Sequence, residues 1–167
     1  MTTATYRVRN AHAADAPLLA EWAAAMALET EHKQLDHDTV RAGVATGIAE
    51  PGKARYFIAM QDASVAGSEV LSIPVGTLML TTEWSDWRNG DWWWIQSVYV
   101  PREHRRKGVF AALYKHVEAL ARQTPGVVGL RLYVERENAN AQRTYEALGM
   151  QDEGYRIYFA KTQAGFD

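Results

Sequence analysis

The feature that most limits the fold is a change of period near residue 105. Val98 to Pro101 closes a run rich in β-branched and aromatic residues. Arg105, Arg106, Lys107 and Gly108 form a basic turn, and Val109 to Leu113 opens an apolar stripe at helical spacing. A strand that runs through a glycine turn into a helix calls for packed α/β layers. The first N–H groups of a helix have no intrahelical partner and suit an anion. Gly108 permits close backbone approach, and the adjacent cations add positive potential. Such a turn fits a pyrophosphate; from spacing alone it fits a basic cap on a surface helix equally well.

The remaining elements follow from local patterning. Thr5 to Arg9 alternates as a short strand. Asp15 reads as a helix cap with Pro17 in the first turn, and Leu18, Leu19, Trp22 and Met26 give one apolar stripe. Glu29 to Asp38 is a polar connection. Asp38 reads as the cap of a second helix that reaches about Glu50 and stops at Pro51 and Gly52. Arg55 to Met60 and Val75 to Thr82 read as strands joined near Gly67. Asn89 and Gly90 signal a hairpin turn, and Trp92 to Val100 is the longest strand. Gly108 to Gln123 is a helix with Leu113, Val117 and Leu120 on one face. Leu130 to Val134 reads as a strand, Ala139 to Leu148 as a helix and Tyr155 to Lys161 as a last strand. An antiparallel meander followed by strand, helix, strand, helix, strand implies α/β layers on a mixed sheet. No linker or repeat divides the chain, so residues 1–167 are expected to form a single domain.

Composition narrows the chemistry. A net charge of -2 argues against general nucleic-acid binding. With no cysteine there is no disulfide, thiol nucleophile or cysteine-based zinc site. His32, Asp36, His37 and Asp38 lack four-ligand spacing, so no metal is expected. The start lacks a signal-like apolar run and no stretch reaches membrane-span length, which reads as a cytoplasmic protein with no membrane partner.

A second pattern lies downstream. Asn138, Ala141, Tyr145 and Gly149 fall near one helical face, and Gly149 suits a helix stop. The two segments together resemble the GNAT superfamily of N-acetyltransferases. Arg105 and Gly108, preceded by Val98, Val100 and Pro101, are similar to its first motif, and Asn138 to Met150 to its second. Phe110 departs from the pattern, which has Gly or Ala there, and Met150 stands where Phe is usual.

The resemblance implies a mostly antiparallel sheet of six to seven strands flanked by about four helices. It implies acetyl-CoA as co-substrate, with the pantetheine arm along Val98, Tyr99 and Val100. The pyrophosphate would lie on the turn of Arg105, Arg106, Lys107, Gly108, Val109, Phe110 and Ala111, and Asn138, Ala141 and Tyr145 would belong to the cofactor side. The amine would attack the thioester directly. A backbone N–H near Val98 would receive the oxyanion, and Tyr145 would protonate the leaving thiolate. Family bases are usually strand carboxylates or water reached through them. Glu83 and Glu31 are the catalytic candidates, with Glu29 a third, and Gln96 or Ser97 could orient water.

Five of the six tryptophans fall between Glu83 and Trp94. Strand side chains alternate, so they cannot all face one core. Tryptophan faces attract cations, and Glu29, Glu31, Glu83, Asp86 and Asp91 add negative charge. Glu29, Glu31, Glu83, Trp84, Trp87 and Gln96 are therefore read as the acceptor side, for a primary amine on a small cationic molecule. A homodimer interface or a second core layer explains the tryptophans equally well. The competing function is a non-catalytic acetyl-CoA-binding module that regulates a protein partner; it would bind acetyl-CoA without amine-dependent CoA release.

Overall fold

Alternating apolar residues between Arg55 and Ile95 build the sheet. In a computed structural model that describes residues 6–64 and 70–162, five strands lie side by side in chain order. They are β1 (Tyr6–Asn10), β2 (Arg55–Ser64), β3 (Val70–Ser85), β4 (Gly90–Tyr99) and β5 (Val127–Leu132). The first three junctions are antiparallel and β4–β5 is parallel. Four helices accompany them: α1 (Ala16–Glu31), α2 (His37–Ala49), α3 (Val109–Gln123) and α4 (Ala139–Ala147). The chain divides into two compact units, Met1–Tyr133 and Val134–Asp167. The sheet and α1–α3 belong to the first, and α4 to the second.

Within the first unit the pleat assigns each side chain to a face. Ile58 and Met60 turn toward α1 and α2, where Leu19, Ala20 and Val44 complete a buried cluster. Phe57 lies on the other face, under α3, with His116 edge-on to its ring at 5.4 Å. Leu113, Val117 and Val109 of α3 are almost fully buried. Gly76 brings the start of α3 close to the sheet: a Cβ there would stand 2.8 Å from Val109 Cγ1 and 3.2 Å from the Tyr99 carbonyl. Trp93 is 5% exposed and joins this core with the Arg55 guanidinium 4.7 Å from its ring centre.

Several expectations need correction. The sheet of the described residues has five strands, not six or seven. Residues 151–161, where Tyr155 to Lys161 suggests a strand, adopt no regular structure, because alternation alone does not supply the ladder that defines a strand. The turn near Gly67 and the residue Thr5 lie outside the described residues. Asp36, not Asp38, caps α2, accepting the Thr39 N–H at 2.8 Å. Asp38 sits in the first turn, where a carboxylate still favours the dipole. Asp15 stands at the α1 cap position, but its carboxylate turns back to Arg9, which donates bonds of 2.7 and 2.8 Å, and to the His12 N–H. The Arg9 guanidinium holds the Asp15 carboxyl below its ordinary range. Glu29 and Glu31 belong to the last turn of α1, not to a loop.

In the second unit, Asn138 caps α4 by accepting the Ala141 N–H at 3.1 Å. Gly149 ends the helix in the left-handed region, φ 88. The Met150 N–H donates to the Tyr145 carbonyl and the Gly149 N–H to the Glu146 carbonyl, the paired bonds of a glycine stop.

Candidate active site

The site begins with an irregularity in β4. Met79 pairs with Ser97 and Leu80 with Ile95, so Gln96 is an extra residue with no partner on β3. Such a bulge bends a strand and resets its alternation. Ile95 and Val98, three apart, therefore sit opposite Leu80 and Leu78 on the α3 face, while Ser97 and Tyr99 turn toward α1. Among the described residues, β4 pairs with β5 only over Asp91–Ile95. From Gln96 to Tyr99 the edge of β4 toward β5 has no strand across from it, and its polar backbone groups can receive an extended ligand.

The strand leads into the basic turn. A short 3-10 helix (Arg102–His104) precedes it. Arg106 (φ 59) and Gly108 (φ 89) both adopt left-handed backbone, and α3 starts at Val109 with its first N–H groups outside the helix ladder. A Cβ at Gly108 would meet nothing within 4 Å, so the turn is open at that point. The Tyr6 hydroxyl pins it by donating to the Lys107 carbonyl at 3.1 Å. Phe110, the departure from the expected small residue, lies along α3 with its ring 6.1 Å from that of Tyr114. An open left-handed turn, the start of a helix and three cations match the chemistry of a phosphate ligand.

Glu29 ties α1 to this region. Its carboxylate accepts the Tyr99 hydroxyl at 3.0 Å, Arg105 at 2.7 Å and the Arg102 Nε–H at 3.4 Å. Arg105 also donates from Nε to the Val100 carbonyl at 2.8 Å and lies over the Tyr99 ring. Arg105 chiefly, with Tyr99 helping, holds the Glu29 carboxyl below its usual range. Burial, then Glu29, pushes the Tyr99 phenol up. Sequence spacing gave no sign of this cluster, whose members lie 70 or more residues from Glu29; an acid at a helix C-terminus, against the dipole, is the one local hint.

The tryptophans separate by register. Glu83 stands opposite Trp92, and its carboxylate accepts Trp94 Nε1–H at 2.6 Å and Arg131 at 3.0 Å. Arg131 lies 4.0 Å from the Trp92 ring centre, and Trp94 stacks on Tyr133 at 4.3 Å. These side chains share the α1 face of the sheet with Ser97 and Tyr99. Trp84 alternates to the opposite face and is exposed, and Trp87, in the hairpin turn, is more exposed still. Strand alternation therefore keeps Glu83 and Trp84 from forming one wall on the sheet surface. Much of the aromatic surface faces the chain's own arginines: Arg55 on Trp93, and Arg88 and Arg131 on Trp92. The acids are likewise engaged, Glu31 with Lys33 at 3.0 Å, Glu83 with Arg131, and Glu29 with Arg102 and Arg105. Gln96 is exposed at the bulge. Tyr145 lies in α4 of the second unit, and burial raises its phenol. No group of His, Asp or Glu among the described residues could hold a metal, and no described helix is long and apolar enough to cross a membrane.

A family model described as "Acetyltransferase (GNAT) family" matches residues 16–150, a span that runs through both compact units. No curated protein matches. Among solved structures, a possible acetyltransferase from Clostridium difficile 630 is 38% identical over 95% of this chain and 98% of its own, with a TM-score of 0.82. A probable acetyltransferase at 21% identity superposes with a TM-score of 0.76, covering 95% of this chain and 99% of its own. The aminoglycoside N-acetyltransferase AAC(6')-Iy in complex with CoA, 14% identical, reaches 0.72 over 97% and 98% of the two chains. The last two share the fold.

Proposed function

The chain belongs to the GNAT family of acetyltransferases, and on that premise we propose that it transfers acetyl from acetyl-CoA directly to a primary amine of a small cationic molecule. Residues 1–167 are read as one N-acetyltransferase domain. The observation that carries the reading is the parting of β4 from β5 at the Gln96 bulge, followed at once by the open left-handed turn and the start of α3. A backbone edge and an anion-binding turn in immediate succession suit an extended ligand that ends in phosphates.

The backbone edge of Val98, Tyr99 and Val100 would align the ligand's arm, and N–H groups between Arg106 and Ala111 would hold its phosphates. When bound, acetyl-CoA supplies the activated acyl group as a thioester. A backbone N–H near Val98 would stabilise negative charge developing on the carbonyl oxygen. The Tyr145 phenol, protonated at neutral pH at its ordinary pKa and pushed further up by burial, would donate a proton from Oη to the departing sulfur. Asn138 and Ala141 build the first turn of the helix that carries it.

The amine must lose a proton before it can attack. Glu83 is opposite Trp92, about 13 Å along β4 from Gln96 at roughly 3.3 Å per residue. Its carboxylate reaches back to Trp94, so it would take the proton through ordered water on the α1 face. Glu31, held by one exposed lysine, is freer to meet an acceptor's charge, with Trp87 and Gln96 at the rim, while Trp84 lies on the opposite face of the sheet.

The test is CoA release measured against a panel of amines: polyamines, aminoglycosides, amino acids and a neutral aromatic amine. Amine-dependent release with a cationic substrate supports the reading. Tight acetyl-CoA binding with release no faster than hydrolysis would assign the chain to the non-catalytic class. A neutral amine as best acceptor would remove the charge argument alone.

A further inference from the structure

Glu29 occupies the last turn of α1, where the negative end of the helix dipole disfavours an anion. Its bonds to Tyr99, Arg102 and Arg105 offset that cost. Arg105 does not depend on Glu29 for its place, because its Nε donates to the Val100 carbonyl at 2.8 Å and its guanidinium lies over Tyr99. Arg102 is largely exposed, and its 3.4 Å contact is loose. What Glu29 adds to the two arginines is therefore negative charge, beside the turn that receives an anion.

We propose that Glu29 is an internal counter-anion that the phosphates of acetyl-CoA displace from Arg102 and Arg105, so that its freed carboxylate becomes available to the ammonium of the acceptor. The inference rests on the proposed co-substrate and deepens it: the acceptor's charge contact is made only once the donor is bound. Tyr99, on the α1 face of β4, still donates to Glu29 after the exchange and keeps the carboxylate on that side. The groups that face Glu29 are Tyr99 from β4 and Arg102 and Arg105 from the segment that follows, with Glu103 acting on Tyr99. When the phosphates take over the two guanidinium groups, the carboxyl rises from its depressed range, so binding takes up protons in the acid range where the carboxyl titrates.

The experiment is calorimetric titration with CoA. Glu29→Gln removes the competing charge while its amide oxygen can still accept from Tyr99. Exposed ion pairs contribute little, so Glu29→Gln should bind CoA up to about fivefold more tightly, and Glu29→Ala should share the sign. In an Arg105→Ala background the gain should shrink toward none. Titrations across the acid range in buffers of different ionisation enthalpy should show more proton uptake for the wild type than for Glu29→Gln. Equal or weaker CoA binding by Glu29→Gln, or a gain undiminished without Arg105, overturns the inference and leaves the co-substrate assignment standing. Failure of the wild type to bind CoA overturns both.

Discussion

Gly108 offers the sharpest test of the anion turn, because its backbone and its surroundings make separate demands. Its φ of 89 lies where L side chains are strained, yet a Cβ there would touch nothing within 4 Å. Gly108→Ala is then a pure backbone perturbation worth about 1–2 kcal/mol. The strain can appear in two ways. If the turn is held, stability falls by that amount, which for a chain of this length is about 2–8 °C in Tm. If the turn relaxes to negative φ, the binding-competent form is depopulated instead, and the Kd for CoA rises by up to about five- to thirtyfold. The two losses should sum to about 1–2 kcal/mol. Gly108→Pro leaves no such choice, since proline fixes φ near −65° and the turn must rebuild; CoA binding should be lost. Calorimetric titration with CoA and thermal unfolding by circular dichroism measure both quantities on the same samples. Unchanged CoA affinity in Gly108→Pro would show that the turn is not the site. Unchanged stability and affinity in Gly108→Ala would refute the strain reasoning.

Tyr145→Phe should keep CoA affinity and lose about 10²–10⁴ in kcat; normal turnover would remove the assigned proton donor. Glu31→Gln and Trp87→Ala should each raise the acceptor KM and leave the acetyl-CoA KM unchanged, whereas a change in oligomeric mass with unaltered KM would assign the hairpin to a dimer interface. Asp15→Asn should destabilise the fold by about 1–3 kcal/mol through lost charged hydrogen bonds to Arg9. Because Arg9 depresses the Asp15 carboxyl, that stability is present above the unfolded carboxyl's pKa and is lost as pH falls through the lower folded value. Acid unfolding of the wild type and the variant should therefore converge at low pH, and a constant gap between them would contradict the pairing.

What could be read in the sequence divides along physical lines. The helix stop at Gly149, the left-handed hairpin residue Asn89 and the turn at Gly108 are local, and each behaves as its backbone freedom or side chain dictates, whereas Gly90 opens β4 opposite Ser85. The cap of α2 shifted to Asp36 because Asp36 and Asp38 are chemically equivalent candidates and only the chain path chooses between them. The bulge at Gln96 has no composition signal, since it arises from how β3 and β4 register over many residues. The ion pairs of Glu29 and Glu83 join segments far apart in the chain. Reading acids and tryptophans by type alone therefore overstated the charge left for an acceptor, because the chain's own arginines already occupy much of it.

The parting of β4 and β5 carries a cost apart from chemistry. A strand edge that can receive a ligand can also receive another strand, and open edges are sites of aggregation. Among the described residues the run without a β5 partner extends only from Gln96 to Tyr99, shorter than the usual five or six residues of a strand. The bulge at its start twists it out of line with the paired segment, and Pro101, which has no N–H to offer a ladder, closes its far end. The edge is thus long enough for the arm of a small molecule and too short and bent to template a neighbouring chain.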